Sequence, residues 1–239
     1  MIRVGTSGWV YQHWKGVFYA EDCPQRRWLE CYTESFDTVE VNSTFYHTPP
    51  LSGVEGWYQR TPPGFLFATK GSRFITHTRR LADCARSLAL QRERLAPLRE
   101  KQGPVLWQLA PQFTADAARL ADFLALRAPE ERWALEPRHE SWFTEEIYAL
   151  LRAHNCCLVW GDSPRWPLEK VVTADFLYAR FHGRPTVYAT AYTDAELDAW
   201  REDLQQAAGG KRDIYAYFNN DYHGYAVQNA PVLRRLLSP

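Results

Sequence analysis

The chain has 239 residues, with 28 lysines and arginines against 28 aspartates and glutamates, so its formal net charge is zero. A composition of 46% hydrophobic and 23% charged residues is typical of a globular protein and excludes a disordered or fibrous chain. Zero net charge gives no reason to expect bulk attraction to nucleic acid or to an anionic membrane, although a local basic groove is compatible with it. Aromatic residues make up 15% of the chain, and such rings serve either a core or a pocket for sugars or bases.

Residues 2–7 at the start of the sequence read as a β-strand, and we recognise no charged and apolar leader with a cleavage site before them. No apolar run approaches the roughly 18 residues that are needed to span a bilayer. The cysteines lack the C-x-x-C spacing of a structural zinc site, and the adjacent Cys156 and Cys157 fit buried hydrophobic positions better than a redox pair. We therefore expect a cytoplasmic protein with no membrane partner and no cofactor.

Eight short β-like segments alternate with segments of helical spacing. In chain order, the predicted strands are 2–7, 38–42, 65–70, 105–109, 133–138, 158–162, 176–182 and 214–219. The predicted helices are 24–36, a short one at 54–60, then 79–100, 115–127, 145–154, 194–208 and 227–237. Thr114, Thr144 and Thr193 stand at predicted helix starts, where a hydroxyl can accept a free backbone N–H. The connection between strands six and seven contains Pro164 and Pro167, so we expect it to lack a proper helix.

Strands that alternate with helices predict βαβ units with parallel pairing. No linker or repeat divides the chain, so we expect one domain over residues 1–239 with an α/β fold of the (β/α)8 TIM-barrel type. The competing fold is an open, doubly wound sheet, whose strands would be apolar on both faces. Segment 176–182 instead places Tyr178, Arg180 and His182 on one face, and this alternation favours the barrel.

Polar side chains stand near the predicted carboxyl ends of almost all strands, which meet at one mouth in a barrel. The acids of this set are Glu40, Glu136 and Asp162, and the bases are Lys70, Arg138 and Arg180. A structural ion-pair network that plugs the barrel is one explanation. Apolar layers would fill the same space without removing charges from water, so the polar excess favours a ligand site.

The chemistry of the side chains suggests individual roles. The predicted catalytic residues are Glu40, Glu136, His182 and Asp162, with Glu40 and Glu136 as candidate acid and base. His182 fits a general base, a metal ligand or a hydrogen-bond bridge, and Lys70 fits a Schiff base, a phosphate ligand or a salt bridge to Glu40. The predicted ligand-binding residues are Trp9, Asn42, Lys70, His77, Gln108, Arg138, His139, Trp142, Arg180, Tyr217, Asn219 and Asn220.

A divalent metal is a lesser hypothesis. Asp162, His182, Glu136 and His139 have suitable ligand atoms, but the sequence contains no H-x-H or H-E-x-x-H spacing. The early glycines match neither the dinucleotide-binding nor the P-loop pattern. We therefore predict no metal ligands.

A series of short motifs runs along the chain. They are GTSGW at 5–9, VEVNSTFY at 39–46, FATKG at 67–71, ITH at 75–77, QL at 108–109, Glu136 with RH at 138–139, SW at 141–142, Asp162, YARFHG at 178–183, YFNN at 217–220 and NA at 229–230. In these motifs the chain resembles the YecE-like family, number 72 among the domains of unknown function. The resemblance implies a (β/α)8-type barrel, likened by fold alone to the endonuclease IV and xylose isomerase group.

The leading functional hypothesis is a hydrolase-like enzyme that uses acid–base chemistry on a polar, ring-containing substrate such as a sugar, nucleotide or nucleic-acid fragment. One alternative is a non-catalytic binding module for a phosphorylated small molecule or nucleic acid, which would use Lys70, Arg138 and Arg180. Another is a metal-dependent phosphodiesterase that resembles the endonuclease group.

Overall fold

Short apolar runs form strands, and helices fill most of the connections between them. In the computed structural model, which describes residues 1–238, the strands are β1 (Ile2–Thr6), β2 (Thr38–Val41), β3 (Leu66–Lys70), β4 (Gln102–Gln108), β5 (Trp133–Glu136), β6 (Cys156–Leu158), β7 (Trp160–Asp162), β8 (Phe176–Phe181) and β9 (Asp213–Phe218). The α-helices are α1 (Trp28–Ser35), α2 (Ser43–Tyr46), α3 (Leu51–Gln59), α4 (Ala85–Leu95), α5 (Ala117–Leu124), α6 (Glu145–Ala153), α7 (Asp194–Ala208) and α8 (Tyr225–Leu237). Each predicted strand and helix overlaps an observed one.

The strands pair in parallel and form two sheets, in the orders β1-β9-β8-β7 and β2-β3-β4-β5-β6. The prediction of an α/β single-domain fold with parallel sheets is thereby confirmed, while no closed barrel is detected among residues 1–238. Predicted strand six is present as two strands, because regular pairing is interrupted at Val159 between β6 and β7. Where β1 of the first sheet lies next to β2 of the second, one parallel bridge joins Ser7 to Glu40.

Helix starts follow the capping rules at two of the three predicted positions. The hydroxyls of Thr144 and Thr193 accept backbone N–H groups of α6 and α7, and Glu196 completes a capping box with Thr193. The prediction for Thr114 is wrong. Asp116 caps α5 instead, because its carboxylate accepts the N–H of the third helical residue.

One apolar cluster draws on both sheets and includes Ala68, Leu106, Tyr178 and Tyr215. Larger clusters pack the other strand faces against the helices. Cys156 and Cys157 are both buried free thiols, which agrees with their prediction as small hydrophobic residues. No helix within residues 1–238 has the length and apolar character that crossing a membrane requires.

The connection 163–175 follows β7 and leads to β8. Its residues are all described, and they form no helix. The prediction of a degenerate crossover at this point is therefore confirmed. The physical reason is the proline content of the segment, since proline lacks an N–H group and disfavours helical geometry in the residue before it.

Gly5 allows β1 to approach β2 closely. A Cβ atom at this position would lie 2.4 Å from the backbone oxygen of Thr38, which cannot move aside without shifting β2. We expect Gly5→Ala to lower the free energy of unfolding by about 1–3 kcal/mol, measured by urea denaturation. The matched control is Gly56→Ala in α3, where no atom lies within 4 Å of a new Cβ and alanine should stabilise the helix by about 0.5–1 kcal/mol. Equal stability of the Gly5→Ala variant and the wild type would contradict the close approach.

Candidate functional site

A buried arginine joins two glutamates that lie on the opposite sheet. Nε and Nη2 of Arg180 donate to the two carboxylate oxygens of Glu40, at 3.0 and 2.8 Å. Nη1 of Arg180 lies 2.9 and 2.8 Å from the two oxygens of Glu136. The side chains of Arg180 and Glu40 are 0% exposed, and that of Glu136 is 1% exposed. The arginine of β8 therefore connects β2 and β5 through charged hydrogen bonds.

Each carboxylate oxygen of Glu40 accepts a second hydrogen bond besides the one from Arg180. The Ser7 hydroxyl donates to Oε1 at 2.5 Å, and the Tyr178 hydroxyl donates to Oε2 at 2.7 Å. Burial acts to raise the pKa of Glu40, but the charge of Arg180 and these hydrogen bonds outweigh it and hold the pKa below its usual value. Glu40 is therefore ionised and enclosed.

Glu136 is ionised for the same reason. Burial opposes its charge, but Arg180 and then Arg138 hold its pKa well below the usual value. His182 is bonded on both ring nitrogens, with Nε2 3.1 Å from Glu136 Oε1 and Nδ1 3.2 Å from the amide nitrogen of Asn219. Burial lowers the pKa of His182 to about 4, although the hydrogen bond to Glu136 acts in the opposite direction. The imidazole is therefore neutral near pH 7, and we assign its proton to Nε2, which faces the carboxylate.

Lys70, at the end of β3, is an ionisable residue of the cluster whose side chain lacks a polar partner. Lys70 is 7% exposed, and its Nζ makes no hydrogen bond within residues 1–238. Nζ instead lies 4.3 Å from the centroid of the Phe45 ring. Burial and then the charge of Arg180 lower the pKa of Lys70 to about 7, against the opposing effect of Glu136. A large fraction of Lys70 is therefore a neutral amine near neutral pH.

Lys101 provides an internal comparison, because it is buried to a similar degree, at 4% exposure. Its Nζ donates to the backbone oxygens of Tyr58 and Thr61 at 2.7 and 2.6 Å, and to the Thr61 hydroxyl at 3.1 Å. All three of its N–H bonds are thus used. Low exposure therefore does not by itself leave a lysine amine without hydrogen-bond partners, as is the case for Lys70.

Open hydrogen-bonding positions surround the charged core. Arg138 donates through Nη2 to Gln108 at 2.9 Å and to Glu136 at 3.2 Å, and its guanidinium carbon lies 4.0 Å from the centroid of a Trp166 ring. Nε of Arg138 and Nε1 of Trp166 are buried and have no hydrogen-bond partner within residues 1–238, and the same is true of Oδ1 of Asn42, which follows β2. Such atoms are uncommon in folded proteins and mark positions where water or a ligand would bind.

Asp162 and His77 lie beside this core. Asp162 is 5% exposed and accepts a hydrogen bond from Nε of Arg184. The Nδ1 atom of His77 lies 2.9 Å from the Thr76 hydroxyl. Burial and the charge of Arg73 lower the pKa of His77 to about 4, so this ring is neutral.

Several predicted ligand-binding residues make no hydrogen bond to the charged core among the described residues. They are Trp9, His139, Trp142, Tyr217 and Asn220. Trp142 is fully buried, and its Nε1 donates to the backbone oxygen of Phe113 inside an apolar cluster. The Tyr217 hydroxyl pairs with the Thr38 hydroxyl at 2.8 Å. These contacts are typical of structural positions.

Three residues of the cluster were missing from the predicted site. Tyr178 and Ser7 bind Glu40, and Tyr178 lies on the same strand face as Arg180, so alternation along β8 could have identified it. Trp166 lies in the connection 163–175, where no periodic pattern exists. Its position 4.0 Å above the guanidinium of Arg138 and 5.0 Å from the ring of His182 depends on tertiary packing.

A family model described as "Protein of unknown function DUF72" matches residues 3–239. The chain belongs to this family. It is 24% identical to the UPF0759 protein YunF of Bacillus subtilis, over 99% of this chain and 95% of that protein. It is 27% identical to the UPF0759 protein YecE of Escherichia coli K12, over 61% of this chain and 51% of that protein.

The fold agrees with solved structures of DUF72 family proteins. A crystal structure from Thermotoga maritima matches with a TM-score of 0.89 and 30% identity, and the match covers 99% of both chains. A second, from Enterococcus faecalis V583, matches with a TM-score of 0.86 and 22% identity, over 99% of this chain and 95% of that chain. The resemblance that the motifs indicated is thereby confirmed.

Removing the arginine from the core of this DUF72 protein tests the charged hydrogen bonds directly. Arg180→Met leaves Glu40 buried without its counter-charge and leaves Glu136 with Arg138 alone, and we expect a loss of roughly 3–5 kcal/mol in unfolding free energy. The matched control is Arg60→Met, which breaks a partly exposed pair with Glu30 and should cost at most about 1 kcal/mol. Urea denaturation measures both. Equal losses would show that the Arg180 cluster is solvated.

Proposed function

We propose that this DUF72 protein is an enzyme that performs acid–base chemistry of the hydrolytic type on a polar, ring-containing substrate such as a sugar, nucleotide or nucleic-acid fragment. The observation that carries the proposal is the amine of Lys70, which has no hydrogen-bond partner within residues 1–238 and belongs to the same charged cluster as Arg138, whose Nε is open together with Nε1 of the adjoining Trp166. Open N–H groups at a charged cluster can bind polar groups of a substrate. Perturbed titratable groups of this kind concentrate at functional sites.

Within the proposed mechanism, Lys70 exchanges protons with the substrate. Its pKa of about 7 suits a group that must gain and lose a proton near neutral pH. Glu136 and Glu40 were the sequence-based candidates, but their low pKa values and occupied oxygens favour an electrostatic role for both. Arg180 is likewise a positioning residue, because its nitrogen atoms bond the two carboxylates.

The remaining predicted residues receive supporting roles. Arg138 and Gln108 would bind polar groups of the substrate, since they lie at the edge of the core and are bonded to each other. His182, held neutral between Glu136 and Asn219, would orient the Glu136 carboxylate. Asp162 would hold the segment that carries Arg184. Rings at the edge of the site favour a substrate that contains a ring; these are Phe45, His77 and Trp166.

We also propose that the two sheets act as one eight-stranded barrel within a single domain of residues 1–239. Two junctions support this proposal. The N–H of Gly8 donates to the backbone oxygen of Glu40 at 2.8 Å across the first junction. At the second, the N–H of Val159 donates to the backbone oxygen of Leu135 at 2.9 Å, so β5 pairing continues past the end of β6. The carboxyl ends of the strands would then surround Arg180.

A non-catalytic module that binds a phosphorylated ligand is the second candidate. The free N–H groups of Arg138 and Trp166 favour it, because they can bind an anion without any reaction. The metal-dependent phosphodiesterase gains no support from the donor set, since no group of three His, Cys, Asp or Glu residues that could hold a metal ion assembles within residues 1–238. The cytoplasmic location stays a prediction.

Turnover distinguishes the enzyme from the binding module. We would assay nitrophenyl glycosides, nitrophenyl phosphodiesters and short single-stranded oligonucleotides, and we expect one class to be cleaved. Lys70→Met should lower that rate by about 10²–10⁴-fold, because the variant keeps the volume of the side chain and loses the titrating amine. Lys101→Met is the matched control, since Lys101 is buried and fully hydrogen-bonded outside the cluster.

Thermal melting measures the folded fraction of each variant before the rates are compared. A Lys70→Met variant with the wild-type rate would contradict the role of Lys70. Substrate that binds and is recovered unchanged would support the module instead.

A further inference from the structure

We propose that Lys70, Arg138 and Trp166 form a subsite for an oxyanion of the ligand, such as a sulfate, phosphate or carboxylate group, and that Lys70 takes up a proton when the anion binds. The inference rests on the proposed function in one respect, the entry of a ligand at this end of the strands. It adds the chemical class of the ligand group and a dependence of binding on pH.

Two N–H groups of this subsite, on Arg138 and Trp166, have no hydrogen-bond acceptor within residues 1–238. They are Nε of Arg138 and Nε1 of Trp166, and both atoms are buried. The guanidinium lies 4.0 Å from the centroid of a Trp166 ring, so the two donors belong to neighbouring side chains. Lys70 adds a third donor that is more than nine-tenths buried. An oxyanion offers several acceptor atoms in a small volume and can satisfy donors from different side chains.

The buried charges explain why the ligand group should be negative. Arg180 and Arg138 carry two positive charges, and Glu40 and Glu136 carry two negative charges, so these four groups are balanced without Lys70. A charged Lys70 would therefore be the unbalanced ion in a site of low dielectric constant. A bound anion would supply the missing negative charge.

No neighbouring group replaces the missing negative charge. The titratable and charged groups that act on Lys70 are Glu40 from β2, Glu136 from β5, Arg180 from β8, Arg138 after β5, and His77 after β3. His77 is neutral above its pKa of about 4, because burial and the charge of Arg73 disfavour its protonated form. The ammonium form of Lys70 is thus disfavoured in the free protein and favoured beside an anion.

The sign of the pH dependence follows from this balance. Below the free pKa of Lys70, about 7, the ammonium already exists and the anion binds without proton uptake. Above that pKa, each binding event must also protonate Lys70, so affinity falls by up to about tenfold for each pH unit. We therefore expect binding to be about tenfold weaker at pH 8 than at pH 6.

Sulfate is the probe of choice, because it keeps one charge state across this pH range, whereas phosphate titrates. Calorimetric titration at constant ionic strength, set with chloride, should give saturable binding of one sulfate that weakens about tenfold from pH 6 to pH 8. At pH 8, the apparent binding enthalpies in Tris and in HEPES should differ by nearly the full difference between the ionisation enthalpies of the two buffers, because nearly one proton is taken up for each sulfate bound. This second readout needs no variant. A parallel titration with acetate shows whether a planar monoanion or the tetrahedral dianion binds more tightly.

Two substitutions at Lys70 isolate its proton. Lys70→Arg keeps a positive charge that does not titrate in this range, so sulfate affinity should become independent of pH. Lys70→Met removes the charge and should weaken binding at pH 6 by tenfold or more. Arg138→Gln should also weaken binding, and because it removes a positive charge that lowers the pKa of Lys70, the fall in affinity should begin at a higher pH than in the wild type. Thermal melting confirms that each variant is folded.

The proposal is overturned if wild-type protein shows no saturable binding of either anion at pH 6, or if its affinity is equal at pH 6 and pH 8. A Lys70→Arg variant that keeps the wild-type pH slope also overturns it. Cleavage of an uncharged glycoside by a protein that binds neither anion would reject this subsite and leave the proposed enzyme intact. Binding with the expected slope and no turnover would support the subsite and reject the enzyme.

Discussion

The site depends on Arg180, whose charge is buried away from water. The free-energy cost of this burial is offset by ion pairs with two carboxylates. Glu40 on β2 and Glu136 on β5 provide them at distances of 2.8–3.0 Å. Buried ion pairs are often no more stabilising than apolar side chains of the same volume. Stability alone therefore does not account for charges at this depth. Their effect is to fix the relative positions of β2, β5 and β8, and with them the groups at the edge of the cluster.

The same arrangement determines what Lys70 can do. Burial lowers the pKa of Lys70 to about 7, and the charge of Arg180 adds to this effect, while Glu136 and Glu40 oppose it without restoring the ordinary value. Lys101, which is also little exposed, uses its three N–H bonds on neighbouring oxygens. The two lysines therefore differ in their hydrogen-bond partners. A free amine, open N–H groups and a rigid charged base are the features on which the proposed chemistry and the oxyanion subsite both rest.

Much of this could be predicted from the sequence, because periodicity and strand order are local properties. Apolar runs located the strands, and polar residues at their carboxyl ends correctly suggested that Glu40, Glu136 and Arg180 meet. The break at Val159 was not predictable, since it depends on pairing with both neighbouring strands. Neither was the position of Trp166, which lies in a connection without a periodic pattern. Which groups stay reachable was also hidden, because the enclosure of Glu40 depends on Tyr178 and other residues distant in sequence.

The titration of Lys70 in the free protein tests the central claim most directly. Carbon-detected NMR of lysine side chains labelled with ¹³C, with the Lys70 signal identified by its loss in Lys70→Arg, reports the protonation of Nζ between pH 5 and pH 11. We predict a midpoint near 7, because burial and the balanced charges around Lys70 disfavour its ammonium form. A midpoint above 10, the range of an ordinary exposed lysine, would mean that Lys70 is solvated or paired, and would contradict both its proposed role in proton transfer and its role in anion binding.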